Sequence, residues 1–148
     1  AELLDRGEAE QAVPVFREAL DRNPEFPEAS FNLGRAYVDL GRLEDAGFYF
    51  SRALQQDPTF SEASLNFGNV ALEQGQYEVA EQAYRHTLSL APHDARAHHG
   101  LGLVAAARQD WADALQHLET AVQLDPGFEA ARQTLEAVGQ QARQRHTE

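Results

Sequence analysis

Four prolines at a constant interval are the feature that most constrains how this chain folds. Pro24, Pro58, Pro92 and Pro126 each follow an apolar segment, and neighbouring members of the set are 34 residues apart. Proline lacks an amide hydrogen and its ring clashes with the preceding turn, so each one is expected to follow the end of a helix. A fixed period of this length predicts a stack of repeated helical units.

Small residues recur in register with the prolines. A glycine inside a helix costs about 1 kcal/mol relative to alanine, so a glycine that recurs in register needs a packing reason. Larger apolar side chains follow at i+4 spacing, which indicates a single packed face on each helix. We therefore expect two helices of each unit to approach closely at these positions. They are Gly34, Gly68 and Gly102 in the first half of each unit, and Ala46, Ala80 and Ala114 in the second.

Each unit also contains a break near its middle. The breaks fall at Gly41, at Gly75 and at the Gln109-Asp110 pair, and a large apolar residue follows each one. The two segments on either side have about 14 residues, which is close to the usual length of a helix. The predicted unit is therefore a helix, a tight turn and a second helix.

This pattern resembles the tetratricopeptide repeat. The resemblance implies an all-α, right-handed superhelical solenoid of antiparallel helix hairpins with a C-terminal capping helix. The single domain would comprise a partial repeat at 1–26, repeats at 27–60, 61–94 and 95–128, and the capping helix at 129–145. The tryptophan often seen early in the family's first helix is replaced by Ser30, Ser64 and His98. The residues that match in the first complete unit are Leu33, Gly34, Tyr37, Gly41, Ala46, Phe50, Ala53 and Pro58.

Local signals predict how individual helices begin. Gly7 falls at the position of the mid-repeat break, so residues 1–6 are expected to be the tail of a first helix. Pro14 then predicts a kink or a late helix start, because a proline inside a helix removes one hydrogen bond. Pro27 suits a first helical turn. Ser61 and Asp94 are predicted to cap the next two first helices by accepting backbone N–H bonds.

Composition excludes several classes of function. The chain has 148 residues with 43% apolar content, which is enough for one elongated core. Cysteine is absent, so disulfides, thiol chemistry and cysteine-based metal sites are excluded. The net charge of −12 argues against nucleic-acid binding, which needs clustered cations. No apolar run approaches the roughly 18 residues of a membrane span, so a soluble chain without membrane insertion is expected.

The basic residues are all arginine, because lysine is absent. A GC-rich genome and a salt-adapted source both explain this composition, since an acidic, lysine-poor surface helps solubility at high salt. The sequence leaves the two explanations open.

The family resemblance implies that the first helices line a concave groove that binds a peptide segment of a partner. The repeated asparagines Asn32 and Asn66 are expected to stack as a ladder of amides that meets the peptide backbone, although a framework role stays open. Phe31, Leu65 and Leu72 are expected to offer apolar contacts. An acidic rim favours a neutral or basic partner. The candidate groove residues are Glu28, Phe31, Asn32, Arg35, Asp39, Leu65, Asn66, Asn69, Leu72, Glu73, Arg96 and His99.

Some relatives in this family grip a C-terminal carboxylate with a clamp of basic and asparagine side chains. Asn66 and Arg96 match two places of that clamp, and Arg35 lies nearby. Phe31 and Gly100 stand where cations are expected, so the clamp is incomplete.

A second contact patch is predicted on the outer surface. Phe48 occupies a position that is usually polar, Pro14 stands one period earlier, and Tyr49 is adjacent. These apolar residues predict a surface for self-association or a neighbouring domain. The alternative is that Phe48 only covers the gap left by the small Gly47.

Catalytic and metal sites are not indicated. The sequence contains no pairing of a nucleophile with a base and no phosphate-binding loop, so an enzyme is not expected and no cofactor is predicted. His93, His98 and His99 are interpreted as structural or groove residues, because adjacent residues of a helix point to different faces. Two alternatives to a free scaffold stay open: a substrate-recruiting arm of a longer enzyme, and a unit that self-assembles through its open N-terminal end.

Overall fold

Eight α-helices make up the part of the chain that the computed structural model describes, residues 6–147. The first is a single helix, the next six form three hairpins, and the last closes the stack. In chain order they are α1 (Arg6–Arg22), α2 (Pro27–Asp39), α3 (Leu43–Gln56), α4 (Ser61–Glu73), α5 (Tyr77–Leu90), α6 (Ala95–Ala107), α7 (Trp111–Leu124) and α8 (Glu129–His146).

The helices stack as an all-α solenoid of antiparallel hairpins. Each helix packs against the next one in the chain, and α4 also contacts α6, one unit further on. Three apolar core clusters follow one another along the stack, with Phe50, Tyr84 and Leu118 as their large buried side chains. The fold expected from the repeat pattern is confirmed. None of the helices within residues 6–147 is long and apolar enough to cross a membrane.

The recurring glycines lie where two helices of a hairpin touch. A Cβ atom at each of these positions would overlap a large side chain of the second helix, so only glycine permits the observed approach. This confirms the packing reason that the sequence required. The pairs are Gly34 with Phe50 (2.7 Å), Gly68 with Tyr84 (2.8 Å) and Gly102 with Leu118 (2.6 Å).

The turns inside the hairpins use the left-handed backbone region at the predicted breaks. Gly41 and Gly75 have φ angles of 72° and 74°, and Gln109 has 63°. Glycine adopts this conformation without a steric penalty, whereas a side chain such as that of Gln109 makes it costly. The break at Gln109 therefore depends on the packing of the flanking helices, α6 and α7.

The N-terminal helix differs from the sequence-based expectation. α1 runs without interruption through Gly7 and Pro14, so the break predicted at Gly7 is wrong, and of the kink or late start predicted at Pro14 the late start is wrong. The helix tail predicted at residues 1–6 lies outside the described residues except for Arg6. Pro14 removes one hydrogen bond, but its ring is exposed and does not disturb a neighbouring helix. Ala9 and Leu20 are buried on either side of the proline, so packing holds both ends of α1 in place.

Helix starts follow the predictions in two of three cases. Pro27 is the first residue of α2, and Asp94 caps α6 by accepting a 3.0 Å hydrogen bond from the Arg96 N–H. The cap predicted at Ser61 is wrong. The carbonyl of Phe60 already accepts the first backbone bond of α4, so Ser61 lies inside the helix and its hydroxyl caps nothing.

Candidate functional site

A concave pocket of about 330 Å³ lies where α4, α6 and the residue before α8 meet. It brings together five of the predicted groove residues: Asn69, Leu72, Glu73, Arg96 and His99. The pocket exists because α4 and α6 lie side by side one period apart, so residues 34 positions apart in sequence become neighbours.

Tyr84 is a groove residue that the sequence reasoning missed, because it belongs to a second helix. Its hydroxyl donates a 2.7 Å hydrogen bond to Oδ1 of Asn69. Gly100 makes room for it, since a Cβ atom there would overlap the Tyr84 ring. Gly100 stands one period after Asn66. The change from asparagine to glycine at this position was the sequence signal that a large side chain of the neighbouring helix packs there. Burial raises the pKa of Tyr84, so the phenol stays protonated and remains a donor.

The contact with Tyr84 fixes the orientation of the Asn69 amide. Because Oδ1 accepts the phenol hydrogen, the two N–H groups of the amide are the donors that remain for a ligand. Asn69 is exposed, so these donors are accessible from the groove.

His99, which also lines the pocket, is held in a defined tautomer. The Thr134 hydroxyl donates to the Ala130 carbonyl at 2.8 Å, so its oxygen must accept the 3.0 Å bond from Nε2 of His99. Burial lowers the pKa of His99, which keeps the ring neutral at pH 7. Nδ1 therefore carries a free lone pair. The ring of Phe128, also missed from sequence, packs edge-on against His99 at 5.1 Å between centroids.

Apolar side chains form the walls between these polar groups. Leu72 and Leu103 are partly exposed and line the pocket with Phe128. The apolar contact predicted for Leu65 is wrong, because Leu65 is only 2% exposed and belongs to the core cluster around Tyr84. Glu73 is exposed at the end of α4 and gives the pocket a carboxylate.

Arg96 is an ion-paired residue rather than a free cation. Its Nη2 atom lies 2.6 Å from Glu62 Oε1 and 2.8 Å from Asp94 Oδ2. Hydrogen bonds from Arg96 to Asp94 and Glu62 raise the pKa of its guanidinium above the usual value. Since two carboxylates already neutralise it, Arg96 links α4 to α6, and it is a poor ligand for the carboxylate of a peptide.

The asparagine ladder stays a prediction. Nδ2 of Asn66 donates a 2.7 Å bond to the Glu62 carbonyl of its own helix, which leaves the Asn66 oxygen and one N–H for a partner. Asn32, one period earlier, is partly buried. The framework role and the ligand role of these amides are therefore compatible.

The first half of the groove is aromatic. Phe31 packs against Phe60 at 4.8 Å and Phe50 at 5.8 Å between ring centroids, and the Arg35 guanidinium lies 5.9 Å from the Phe31 ring. Glu28 is exposed at the start of α2, and Asp39 ends the same helix. The acidic groups of α2 thus flank an aromatic centre.

The predicted outer patch is exposed. Phe48 is 61% exposed and its ring meets that of Tyr49 edge-on at 5.0 Å between centroids, while Pro14 is exposed on α1. A Cβ atom at Gly47 would lie 3.7 Å from Val70, so Gly47 faces α4. The exposure of Phe48 argues against the reading in which its ring covers the gap beside Gly47. A contact role for the patch stays a prediction.

The adjacent histidines His98 and His99 have different partners. His99 binds Thr134, whereas His98 lies against His117 at 5.9 Å between ring centroids. Burial lowers the pKa of His98. Within residues 6–147, the histidine and carboxylate side chains form no group of three that is arranged to hold a metal ion.

A stack of helix hairpins with a concave pocket built from successive first helices defines a helical-repeat protein. A family model described as tetratricopeptide repeat matches residues 2–59 and 65–127. The chain therefore belongs to the tetratricopeptide repeat family. The repeats and the solenoid together indicate a protein–protein interaction scaffold.

Solved structures of MamA are similar to this chain over most of its length. MamA from residue 41 to its end, from Desulfovibrio magneticus RS-1, is 28% identical, with a TM-score of 0.87 over 96% of this chain and 80% of that one. A second MamA crystal structure, 24% identical, has a TM-score of 0.86 over 92% and 80% of the two chains and supports the fold alone. No curated protein sequence matches significantly.

Proposed function

We propose that this chain is a non-catalytic scaffold that binds an extended segment of a partner protein in its concave groove, with the main contacts at the α4–α6 pocket. The observation that carries the proposal is a pair of pre-oriented polar side chains, Asn69 and His99, that line the same pocket as apolar side chains. Tyr84 fixes the Asn69 amide as a donor, and Thr134 fixes His99 as an acceptor.

These two groups suit a peptide backbone. An extended segment presents carbonyl oxygens and N–H groups in alternation, so a carbonyl would meet the Asn69 amide and an N–H would meet Nδ1 of His99. Both side chains are held by neighbours before a ligand arrives. A pre-formed site loses less conformational entropy on binding, which favours affinity.

The charge of the groove favours a neutral or basic segment. Glu73 brings to the pocket a carboxylate that forms no ion pair among the described residues, while Arg96 is neutralised by Glu62 and Asp94. The chain as a whole carries −12, so long-range repulsion also disfavours acidic partners wherever no unpaired cations offset it. Leu72 and Leu103 would hold an apolar side chain of the same segment.

A peptide array followed by fluorescence polarisation tests this proposal. Neutral and basic peptides that bind the wild type would be measured against Leu103→Glu, which places a charge in the apolar wall. The matched control is Leu124→Glu at the end of α7, where the leucine is 38% exposed and does not line the pocket. We expect at least tenfold weaker binding for Leu103→Glu and an unchanged affinity for the control. Equal affinities for both variants would refute the site.

Self-association through the N-terminal end is a second candidate, favoured by exposed apolar residues on α1 and just before α2. Val15 is 63% exposed and Phe26 is 38% exposed, and both line a shallow pocket of about 420 Å³. Light scattering coupled to size exclusion distinguishes the two candidates. A dimer that Val15→Glu converts to a monomer would support self-association, and a wild-type monomer at high concentration would refute it.

A further inference from the structure

Two arginines without ion pairs meet on the surface between α1 and α3. Arg17 and Arg52 line a pocket of about 500 Å³ together with Tyr49, and Asp21 is the acidic residue of its rim. Within residues 6–147 neither arginine forms an ion pair, although the chain has 24 acidic residues and 12 arginines. Cations left unpaired in an acidic protein are available for a negatively charged ligand.

A buried hydroxyl beside this pocket also lacks a partner. Tyr37 is completely buried, its ring stacks on that of Tyr49 at 5.6 Å between centroids, and its hydroxyl makes no hydrogen bond with any residue in 6–147. The hydroxyls of Tyr37 and Tyr49 lie close enough to Arg17 to raise the pKa of its guanidinium. Tyr37 is sealed from solvent and does not line the pocket, so Tyr49 is the tyrosine that a ligand would contact.

Arg52 is held in place for such a ligand. Its Nη2 atom donates a 3.0 Å bond to the Pro24 carbonyl at the end of α1, which fixes the guanidinium at the pocket. One period later His86 makes the same kind of contact with the Pro58 carbonyl, at 2.7 Å. The backbone contact alone therefore does not require an arginine, and the remaining N–H groups of Arg52 are free to bind a ligand.

The pocket is specific to the first pair of units. One period after Arg17 and Tyr49 the chain has Ser51 and Ala83, so neither the charge nor the aromatic wall is repeated. A group needed only for stacking the hairpins would recur in register, as the packing glycines do.

We propose that the pocket formed by Arg17, Arg52 and Tyr49 binds an acidic segment of a partner protein, with an Asp or Glu carboxylate held between the two guanidinium groups. Guanidinium groups bind carboxylates through paired N–H bonds of fixed geometry. The exposed ring of Phe48 beside Tyr49 provides an apolar contact for the next side chain of the segment. The pocket is much larger than one carboxylate, which favours a peptide over a small ion.

Fluorescence polarisation with a labelled peptide of glutamates flanking one phenylalanine tests this site. The test variant is Arg17→Gln with Arg52→Gln. The control is Arg143→Gln with Arg145→Gln, which makes the same charge change at two arginines of α8 that also have no ion pair among the described residues. We expect at least tenfold weaker binding for the test variant and less than a twofold change for the control. Equal losses in both variants would overturn the proposal, because they would reflect net charge alone.

Three further measurements separate the possible causes of a loss of binding. Arg52→Lys retains the charge but not the paired geometry, and we expect it to bind several-fold more weakly than wild type while folding normally by circular dichroism. Inorganic phosphate serves as the small-ion probe, and binding of phosphate as tight as that of the peptide would overturn the assignment of a peptide ligand. Leu103→Glu should leave binding of the acidic peptide unchanged, so this site and the concave pocket can fail independently.

Discussion

Two tyrosines, both completely buried, differ in what their hydroxyls meet. Tyr84 of α5 lies between Gly68 and Gly100 and donates to Asn69 in the concave pocket. Tyr37 of α2 stacks on Tyr49 near Arg17, and its hydroxyl has no partner. The Tyr84 phenol is hydrogen-bonded within the concave pocket. The Tyr37 phenol lies behind Tyr49, next to the pocket that Arg17 and Arg52 line.

The difference follows from the positions of the two residues in the repeat. Tyr84 takes the place of Phe50 and Leu118, where a large side chain fills the space above a glycine. Tyr37 takes the place of Ala71 and Ala105. The ring of Tyr84 therefore makes a packing contact that is common to all three hairpins. The hydroxyl of Tyr37 is an additional polar group at a position where the other two units have alanine.

The largest effect is expected from Gly100→Ala, which would break the environment of Tyr84. The new methyl group overlaps the Tyr84 ring, so we expect a loss of about 1–3 kcal/mol in the free energy of unfolding, typical of an overpacked core. Urea denaturation measures it. The control is Gly47→Ala, where the methyl group meets Val70 at an ordinary 3.7 Å and unfolding should become no easier. Equal stability of Gly100→Ala and wild type would show that the ring does not fill this space.

Tyr84→Phe removes the hydroxyl while keeping the ring. We expect a loss of about 0.5–1.5 kcal/mol, the usual net value of one hydrogen bond, because Asn69 is exposed and water replaces the phenol. Affinity for a groove peptide should fall as well, since the Asn69 amide is then free to rotate. A peptide affinity identical to that of wild type would contradict the orienting role of Tyr84.

Lowering the pH is expected to destabilise the region around α6 slightly more than the region around α2. Burial lowers the folded-state pKa values of His98 and His99, so the unfolded chain binds protons first and stability should decrease as pH falls below about 6.5. Residues 1–85 contain no histidine. Between pH 7.5 and pH 5.5, hydrogen exchange should therefore show a larger increase in the opening of α6 than in the opening of α2. Equal acceleration in both helices would contradict this assignment.

The smallest effect on stability is expected from Tyr37→Phe. Removing a buried hydroxyl that has no partner should leave the free energy of unfolding unchanged or raise it by up to about 1 kcal/mol. Thermal unfolding, compared directly with Tyr84→Phe, measures the contrast. If Tyr37→Phe lost as much stability as Tyr84→Phe, the Tyr37 hydroxyl would have a partner in solution.

The sequence predicted the hairpins because glycine, alanine and proline act locally and recur in register. Gly41, Gly75 and Gln109 marked the turns correctly, while Gly7 did not, because the same residue type is also compatible with a continuous helix. Whether a glycine ends a helix depends on the packing around it, and a single sequence does not contain that information.

The site was predicted less completely, since it depends on contacts between helices. Asn69 and His99 were identified as groove residues, but their partners Tyr84 and Thr134 come from neighbouring helices. Leu65 was placed in the groove, although it is 2% exposed and packs in the core cluster around Tyr84. Periodicity predicts the apolar face of a helix to within about one residue. Whether a side chain at the edge of that face is exposed can be read only from the structure.

The central claim, that the concave pocket binds a partner segment, is tested most directly by chemical-shift mapping with a groove peptide. The largest shifts are predicted for the side chains of Asn69, His99 and Leu103, and only small shifts are predicted for α1 and α3. Shifts confined to α1 and α3, with those three side chains unaffected, would contradict the claim.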